Sequence, residues 1–189
     1  MGVELNEELY IETSLRRGES LFQQLAGAEG TPKAGAVDVV KLRDDRNALY
    51  REFVANEGEV LPGVLECLEA LRGKLPMAIV TSSLREAFEL VHQRTGLLKY
   101  FEFALTSGDY ELHKPHPDPY LSAAARLGVA PEQCMAVEDS ERGLESATRA
   151  GMRCLVIPNR LTRGFEFQTA AAVLTSARDV PAQVEPRLV

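Results

Sequence analysis

The sequence predicts an α/β fold: a parallel sheet with helices on both faces, preceded by a smaller region that is wholly helical. Two observations carry this prediction. From Val60 onward, short apolar stretches alternate with segments whose apolar residues recur at helical intervals. Consecutive strands joined through helices run parallel, because right-handed crossovers return the chain to the same end of the sheet. Before Val60, only the helical periodicity is present.

The first region is predicted to span residues 1–58, and the sheet domain residues 59–189. Within the first region, a loop rich in Gly, Thr and Pro over 27–35 separates two helical stretches. In the second stretch, apolar residues recur at helical intervals from Val37 to Val54. A strand at the start of this stretch is the alternative, but the charged residues that follow favour an amphipathic helix.

The elements of the sheet domain follow from short apolar runs and from glycines that end helices. The predicted strands are 77–80, 103–105, 135–137, 154–157 and 171–174. The predicted helices begin after Pro62-Gly63, at Leu84, at Asp118 and at Glu141. Ligands of such sheets bind beyond the carboxyl ends of the strands, so polar residues at those ends are the candidates for function.

Composition and charge restrict the class of partner. Of the 189 residues, 45% are hydrophobic and 26% are charged, which is ordinary for a folded domain. The net charge of −7 argues against binding to nucleic acid or to an anionic membrane, although a small basic pocket can still hold a phosphate. No apolar run is long enough to span a bilayer and no signal-peptide pattern is present, so we expect a cytoplasmic protein. We expect Cys67, Cys134 and Cys154 to be buried thiols rather than disulfides.

Hydroxyl side chains follow the first predicted strand. Thr81, Ser82 and Ser83 come where that strand ends and a helix begins. Their hydroxyls and the backbone N–H groups of the turn can donate hydrogen bonds to phosphate oxygens. The same residue types are favoured as helix N-caps, so the residues alone leave both roles open.

A lysine lies in a loop that prolines restrict. Lys114 precedes Pro115, and Pro117 and Pro119 follow in the same loop. A fixed ammonium can neutralise a carboxylate and a phosphoryl oxygen together, and so stabilise the charge of a transition state. The alternative is an ordinary surface lysine, which is what the residue taken alone favours.

Two adjacent acids follow the third predicted strand. Glu138 and Asp139 come directly after Val137, where they repel one another and lose water unless a positive group is bound. Such hard oxygen ligands suit Mg²⁺. The alternative is that Asp139 or Ser140 caps the helix that follows, and the cost of desolvation favours the metal.

Four stretches, taken in order, resemble one known family. They are Leu61-Pro62-Gly63-Val64, Ile79-Val80-Thr81-Ser82-Ser83, Lys114-Pro115-His116-Pro117-Asp118-Pro119-Tyr120 and Val137-Glu138-Asp139-Ser140. From about Val60 to Asn159 the chain is similar to the haloacid dehalogenase superfamily of phosphohydrolases, in the branch that looks like β-phosphoglucomutase and phosphoglycolate phosphatase. This resemblance implies a Rossmann-like core, with residues 1–58 as part of a helical cap.

The resemblance also implies roles for individual residues. Thr81 would be the catalytic hydroxyl that binds phosphate, with Ser82 and Ser83 beside it, and Lys114 would be the catalytic lysine. Glu138 and Asp139 would hold Mg²⁺ as the cofactor, and the substrate would be a small phosphorylated metabolite. In the cap-like region, Arg17 is a candidate for binding the substrate, with a solvated helix charge as the alternative.

One part of the family pattern is absent. The family carries Asp-x-Asp after its first strand, and the leading Asp is the nucleophile. Here Asp38 and Asp44-Asp45 lie in a helical segment with no strand before them. Because the family's first strand is central, we expect a gap between the strands that end at Thr81 and Val137. We also expect a chain that lacks on the order of 25–35 residues at its N-terminus, enough for a strand, a turn and a helix.

Two classes of function follow from these residues. The first is a Mg²⁺-dependent phosphatase that works through an aspartyl-phosphate, with its nucleophile missing from the chain as given. Mutase activity on a sugar phosphate is a variant of this hypothesis. The second is a non-catalytic pseudoenzyme or fragment that binds phosphate or a partner. In either case the sequence predicts that these 189 residues alone are inactive.

Overall fold

The computed structural model describes residues 6–19 and 38–184 of the chain. The chain forms two compact units, Met1–Glu57 and Gly58–Val189. The loop predicted over 27–35 lies outside the described residues. None of the described helices is both long and apolar enough to cross a bilayer.

The first unit is helical wherever it is described. A short α-helix, α1 (Glu7–Tyr10), runs into a π-helical turn over Ile11–Arg16, and a longer helix, α2, covers Val39–Glu57. Before α2, Asp38 Oδ1 accepts a hydrogen bond from the Lys41 N–H at 3.0 Å, as a helix cap does. From Val39 onward, the helix that the charged residues favour over a strand is confirmed.

The second unit alternates helices with short strands, as the apolar runs predict. Its α-helices are α3 (Val64–Leu71), α4 (Arg85–His92), α5 (Asp118–Leu127), α6 (Glu141–Arg149) and α7 (Val180–Val184). Its strands are β1 (Ala78–Val80), β2 (Phe103–Leu105), β3 (Met135–Glu138), β4 (Arg153–Val156) and β5 (Ala172–Val173). Short 3-10 turns cover Leu97–Tyr100, Pro131–Gln133 and Ala177–Asp179.

The strands form two separate parallel sheets. β1 pairs with β2, and β3, β4 and β5 pair in that order. Within residues 58–184, no strand is hydrogen-bonded to both β1 and β3, so the gap expected from the sequence is observed. Val137 lies within β3 and is 48% exposed.

Helices cover both faces of the larger sheet. On one face, α5 and α6 pack on β3 and β4 through a cluster that includes Tyr120, Ala124, Ala147, Cys154 and Val156. On the other face, α3 and α7 pack on β4 through Cys67, Leu71, Leu155 and Val180. Cys67 and Cys154 are buried free thiols, as expected, whereas Cys134 is half-buried.

Candidate functional site

One lysine side chain joins the carboxyl ends of the two sheets. Lys114 Nζ donates to the Val80 carbonyl oxygen at 3.1 Å, at the end of β1. The same nitrogen lies 2.6 Å from Glu138 Oε1, at the end of β3. The side chains of Lys114 and Glu138 are only 11% and 7% exposed, so this ion pair is largely shielded from solvent. Residues from all three predicted stretches therefore meet at one edge of the fold.

The loop that carries Lys114 is held by α6. Arg142 donates to the Lys114 carbonyl oxygen, and Ser146 Oγ donates to the His116 carbonyl oxygen at 2.6 Å. Ser146 is fully buried, so its hydrogen bond is protected from water. Lys114 is thus a fixed cation, and the alternative of an ordinary surface lysine is wrong.

Hydrogen bonds within the turn and to β2 hold the turn after β1. Thr81 Oγ1 accepts a hydrogen bond from the Ser83 N–H at 3.1 Å, and the Thr81 N–H donates to the Leu105 carbonyl oxygen at 2.9 Å. The helix α4 begins only at Arg85, and its N-cap residue Leu84 makes no side-chain cap. The turn therefore leaves Ser82 and Ser83 exposed beside the end of β1, next to the carbonyl that binds Lys114.

Glu138 is a buried carboxylate with several partners. Besides Lys114, its Oε1 accepts a hydrogen bond from the Tyr120 hydroxyl, and its Oε2 accepts one from the Asp139 N–H at 3.2 Å. The carboxylate rests on Gly143 in the first turn of α6, where a Cβ would overlap both of its oxygens. Glycine at this position therefore leaves the space that the carboxylate occupies.

Two buried groups beside this carboxylate stay protonated. Burial raises the pKa of Tyr120 well above its usual value, and the charge of Glu138 adds to this effect. Burial also raises the pKa of Cys154 to about 12, with Glu138 again contributing. Tyr120 is therefore a hydrogen-bond donor, and Cys154 is an inert thiol.

Asp139 follows Glu138 in the chain; the residue is partly exposed, and the surrounding protein still shields its carboxyl group from part of the solvent. Its Oδ2 accepts a hydrogen bond from the Asn159 side-chain amide at 2.9 Å. Loss of water to the surrounding protein raises the pKa of Asp139, the Asn159 hydrogen bond lowers it, and the charge of Glu138 raises it. The helix cap of α6 is Ser140, whose Oγ accepts from the Gly143 N–H at 3.2 Å, so Asp139 is not needed for that role.

The oxygen ligands at this edge suit Mg²⁺ chemically, and they are few. Asp139 is an exposed carboxylate that keeps oxygen lone pairs for a cation, whereas Glu138 already serves Lys114 and Tyr120. Across residues 6–19 and 38–184, no group of three or more His, Cys, Asp or Glu side chains could hold a metal. Mg²⁺ is commonly bound through one or two carboxylates, with water and substrate phosphate completing its shell, so the residues fit this ion.

Arg17, the predicted substrate residue of the cap-like region, belongs to the first unit. Its guanidinium is exposed and bonds Glu12 Oε1 through Nε at 3.2 Å and through Nη2 at 3.0 Å. A contact of Arg17 with substrate stays a prediction.

Three contributors to the site were not assigned a role from the sequence. Tyr120 and Asn159 stand within the stretch that resembles the family, but nothing local to them indicates that they contact Glu138 and Asp139. Tyr110, whose hydroxyl donates to the Thr81 carbonyl oxygen at 2.9 Å, lies 29 residues away from that partner in the chain. The only signal for the two tyrosines is their residue type, because a buried tyrosine hydroxyl usually finds a hydrogen-bond partner.

Residues 2–151 match the model of one protein family, described as haloacid dehalogenase-like hydrolase. The chain belongs to this family. The resemblance read from the four sequence stretches is thereby confirmed, and phosphoglycolate phosphatases are among the similar proteins; a β-phosphoglucomutase structure shares the fold.

Two curated relatives illustrate the similarity. CbbY from Rhodobacter capsulatus is 35% identical over 147 residues, which cover 75% of this chain and 63% of that protein. Phosphoglycolate phosphatase from Escherichia coli (strain K12) is 38% identical over 123 residues, which cover 64% of this chain and 47% of that protein. The chain thus spans about half to two thirds of the length of such relatives.

Solved structures share the fold. A variant of CbbY from Rhodobacter sphaeroides in complex with xylulose-1,5-bisphosphate aligns with a TM-score of 0.77 at 24% identity, covering 94% of this chain and 81% of that one. A family hydrolase from Deinococcus radiodurans R1 with bound phosphate and sodium aligns with a TM-score of 0.67 at 28% identity, covering 100% of this chain and 84% of that one. The parallel α/β architecture of the second unit is the Rossmann-like core that the sequence predicts.

Proposed function

We propose that this chain carries the phosphate-binding and metal-holding part of a Mg²⁺-dependent phosphatase. The substrate would be a small phosphorylated metabolite, and the whole reaction would pass through an aspartyl-phosphate. The observation that carries the proposal is the ammonium group of Lys114. It is largely shielded from solvent and lies between the end of β1 and Glu138 at the end of β3. A fixed cation in that position binds a phosphoryl group and stabilises the negative charge that develops during its transfer.

The side chains around Lys114 have complementary tasks in this proposal. The hydroxyls and N–H groups of Thr81, Ser82 and Ser83 donate to phosphate oxygens. Glu138 holds Lys114 in position through its 2.6 Å contact and stands ready as a metal ligand when the site is filled. Arg17 of the first unit is carried as a candidate substrate-binding residue on the resemblance alone.

Asp139 is the residue we expect to hold Mg²⁺ directly, with Asn159 fixing the orientation of its carboxylate. When bound, the ion supplies positive charge to phosphate oxygens. The raised pKa of Asp139 fits this role, because a carboxylate that loses water in the protein gains from a nearby cation.

The attacking carboxylate is the part that these residues do not supply. Glu138 bonds Lys114 and Tyr120, and Asp139 bonds Asn159, so neither is a free nucleophile. We therefore propose that the chain as given binds phosphate without hydrolysing a phosphomonoester. The alternative function is a permanently non-catalytic protein that binds phosphate or a partner, and the same contacts favour it. Sugar-phosphate mutase activity stays open as the activity of a whole protein.

The class of substrate is supported by what the similar proteins are named for. One relative is a fructose-1-phosphate phosphatase from Escherichia coli (strain K12), 32% identical over 116 residues, which cover 61% of each protein. Together with the phosphoglycolate phosphatases, it supports a small phosphorylated substrate.

The test combines binding with turnover. We expect isothermal titration of the 189-residue chain with inorganic phosphate to show binding that strengthens with Mg²⁺, and we expect no release of phenol from an aryl phosphate. Thr81→Val should weaken phosphate binding, whereas the exposed Thr175→Val should not.

Two outcomes would contradict the proposal. Absence of phosphate binding would remove the proposed site. Turnover of the aryl phosphate that disappears in Asp139→Ala would show that the chain is active as it stands. The coding region before Met1 separates the two functions: an in-frame strand followed by Asp-x-Asp supports the phosphatase, and an immediate stop codon supports the non-catalytic protein.

A further inference from the structure

A buried tyrosine holds the backbone of the turn after β1. Tyr110 is 9% exposed, and its hydroxyl donates to the Thr81 carbonyl oxygen at 2.9 Å. Burial raises the pKa of Tyr110, a hydrogen bond with the Ser82 side chain lowers it, and the charge of Asp109 raises it again. The phenol is therefore protonated at neutral pH and acts as a donor to the turn.

The ring of Tyr110 also contacts the segment that leads to Lys114. It is buried with Leu105 and Ala123 beside the end of β1. Its edge meets the ring of His113, with the centroids 5.4 Å apart, and His113 immediately precedes Lys114. One side chain thus contacts both the turn that we propose to bind phosphate and the loop that carries the cation.

The loop on which Tyr110 lies is fixed as well. Asp109 Oδ2 accepts hydrogen bonds from the Thr106 N–H at 2.7 Å, from Thr106 Oγ1 at 2.8 Å and from Arg85 Nη2 at 2.6 Å. Thr106 is 1% exposed, so these bonds tie the loop to the interior of the unit. The position of Tyr110 is therefore set before any ligand binds.

Because the peptide group is planar, the hydrogen bond to the Thr81 carbonyl also fixes the direction of the Ser82 N–H. In a trans peptide the carbonyl oxygen and the following N–H point in opposite directions. When the Thr81 carbonyl points at Tyr110, the Ser82 N–H must point away from Tyr110. Without the bond, the peptide between Thr81 and Ser82 can rotate, and a phosphate would have to order it at the cost of part of its affinity.

We propose that Tyr110 is a positioning residue for phosphate binding, which acts by holding the Thr81–Ser82 peptide through the Thr81 carbonyl oxygen. This inference rests on the proposed function, because it takes the turn 81–83 as the phosphate-binding element. Tyr110 itself does not contact the phosphate.

The experiment compares Tyr110→Phe with a matched variant, Tyr100→Phe. Both changes keep the ring and remove one partly buried, hydrogen-bonded hydroxyl; the Tyr100 hydroxyl donates to Glu69 and has no described bond to the turn. In titrations of the full chain with inorganic phosphate and Mg²⁺, we expect Tyr110→Phe to weaken affinity about three- to tenfold, the range of one lost hydrogen bond. Tyr100→Phe should leave affinity unchanged.

The possible outcomes separate this inference from the function on which it rests. If the unmodified chain binds no phosphate, the proposed function and this inference both fail. If it binds phosphate and Tyr110→Phe binds equally well, only the role of Tyr110 is overturned. An equal loss of affinity in Tyr110→Phe and Tyr100→Phe would also overturn it, because the effect would then be a general loss of stability.

A measurement on the unmodified chain covers the case in which Tyr110→Phe does not fold. With ring-labelled tyrosine, addition of phosphate should shift the NMR signals of Tyr110 and leave those of Tyr100 in place. Signals of Tyr110 that stay unmoved at saturating phosphate would overturn the proposal.

Discussion

Replacement of Gly143 by alanine tests whether the Glu138 carboxylate needs the space above the first turn of α6. A Cβ at position 143 would overlap the carboxyl carbon and both oxygens of Glu138. These atoms have little room to move, because the residue is only 9% exposed and bonds both Lys114 and Tyr120. The carboxylate must therefore give up part of its hydrogen bonding or force α6 away from β3.

The sign of the effect follows from two opposing contributions. Alanine is the better helix former, which favours Gly143→Ala by about 0.5–1 kcal/mol. Overpacking a close contact costs about 1–3 kcal/mol. If Glu138 is displaced far enough to leave the Lys114 ammonium unpaired in its nearly dry position, the cost approaches the about 3–5 kcal/mol of a broken buried pair. We expect a net loss of about 2–4 kcal/mol in the free energy of unfolding.

Urea denaturation followed by circular dichroism measures this loss directly. The matched control is Gly164→Ala, since a Cβ at Gly164 meets nothing within 4 Å and the residue has no positive φ. We expect that control to stay within about 0.5 kcal/mol of the unmodified chain. A Gly143→Ala protein as stable as the unmodified chain would refute the reasoning, because the carboxylate would then have space that the structure denies it.

Two further predictions concern the charged groups around the site. Lys114→Met should cost about 3–5 kcal/mol at pH 7, because Glu138 is left buried without its cation, and urea denaturation with the exposed Lys74→Met as control checks this. Asp109→Asn should be less stable than the unmodified chain at pH 7 by about 1 kcal/mol, the order of a weakened hydrogen-bond set. The Thr106 N–H and hydroxyl and the Arg85 guanidinium hold the pKa of Asp109 below its ordinary 3.8, so this stability is present above pH 3.8 and is lost as the pH falls below it. The difference in Tm between the two proteins should therefore be smaller at pH 3 than at pH 7, and an equal difference at both pH values would contradict the assignment.

The strands could be predicted from the sequence because each is a short run of apolar residues, which is a local signal of a buried strand. The structure gives shorter hydrogen-bonded strands than the sequence suggests, for example Ala172–Val173 within the predicted 171–174. The flanking residues still take part, since the N–H groups of Ala171 and Leu174 donate to carbonyl oxygens of β4 at 2.7 Å. The difference is one of strand definition at the ends of a short ladder rather than of fold.

The sequence predicts only those site residues that follow a strand or lie in the proline-rich loop. Thr81, Lys114 and the two acids were found because they follow strands or lie in a proline-rich loop. Tyr110 and Asn159 were not, because they act on partners 29 and 20 residues away in the chain. No local pattern encodes which carbonyl a tyrosine hydroxyl will reach once the strands have packed.

Residue type alone does not separate the role of Glu138 from that of Asp139. The sequence treats Glu138 and Asp139 as one repelling pair, yet successive side chains of a strand point to opposite faces. The alternation that buries Ala136, exposes Val137 and buries Glu138 continues to the exposed Asp139. One acid therefore turns inward to Lys114 and Tyr120, while the other keeps its face open to solvent. Because the inward acid already bonds Lys114 and Tyr120, we expect added Mg²⁺ to bind first at the outward carboxylate of Asp139.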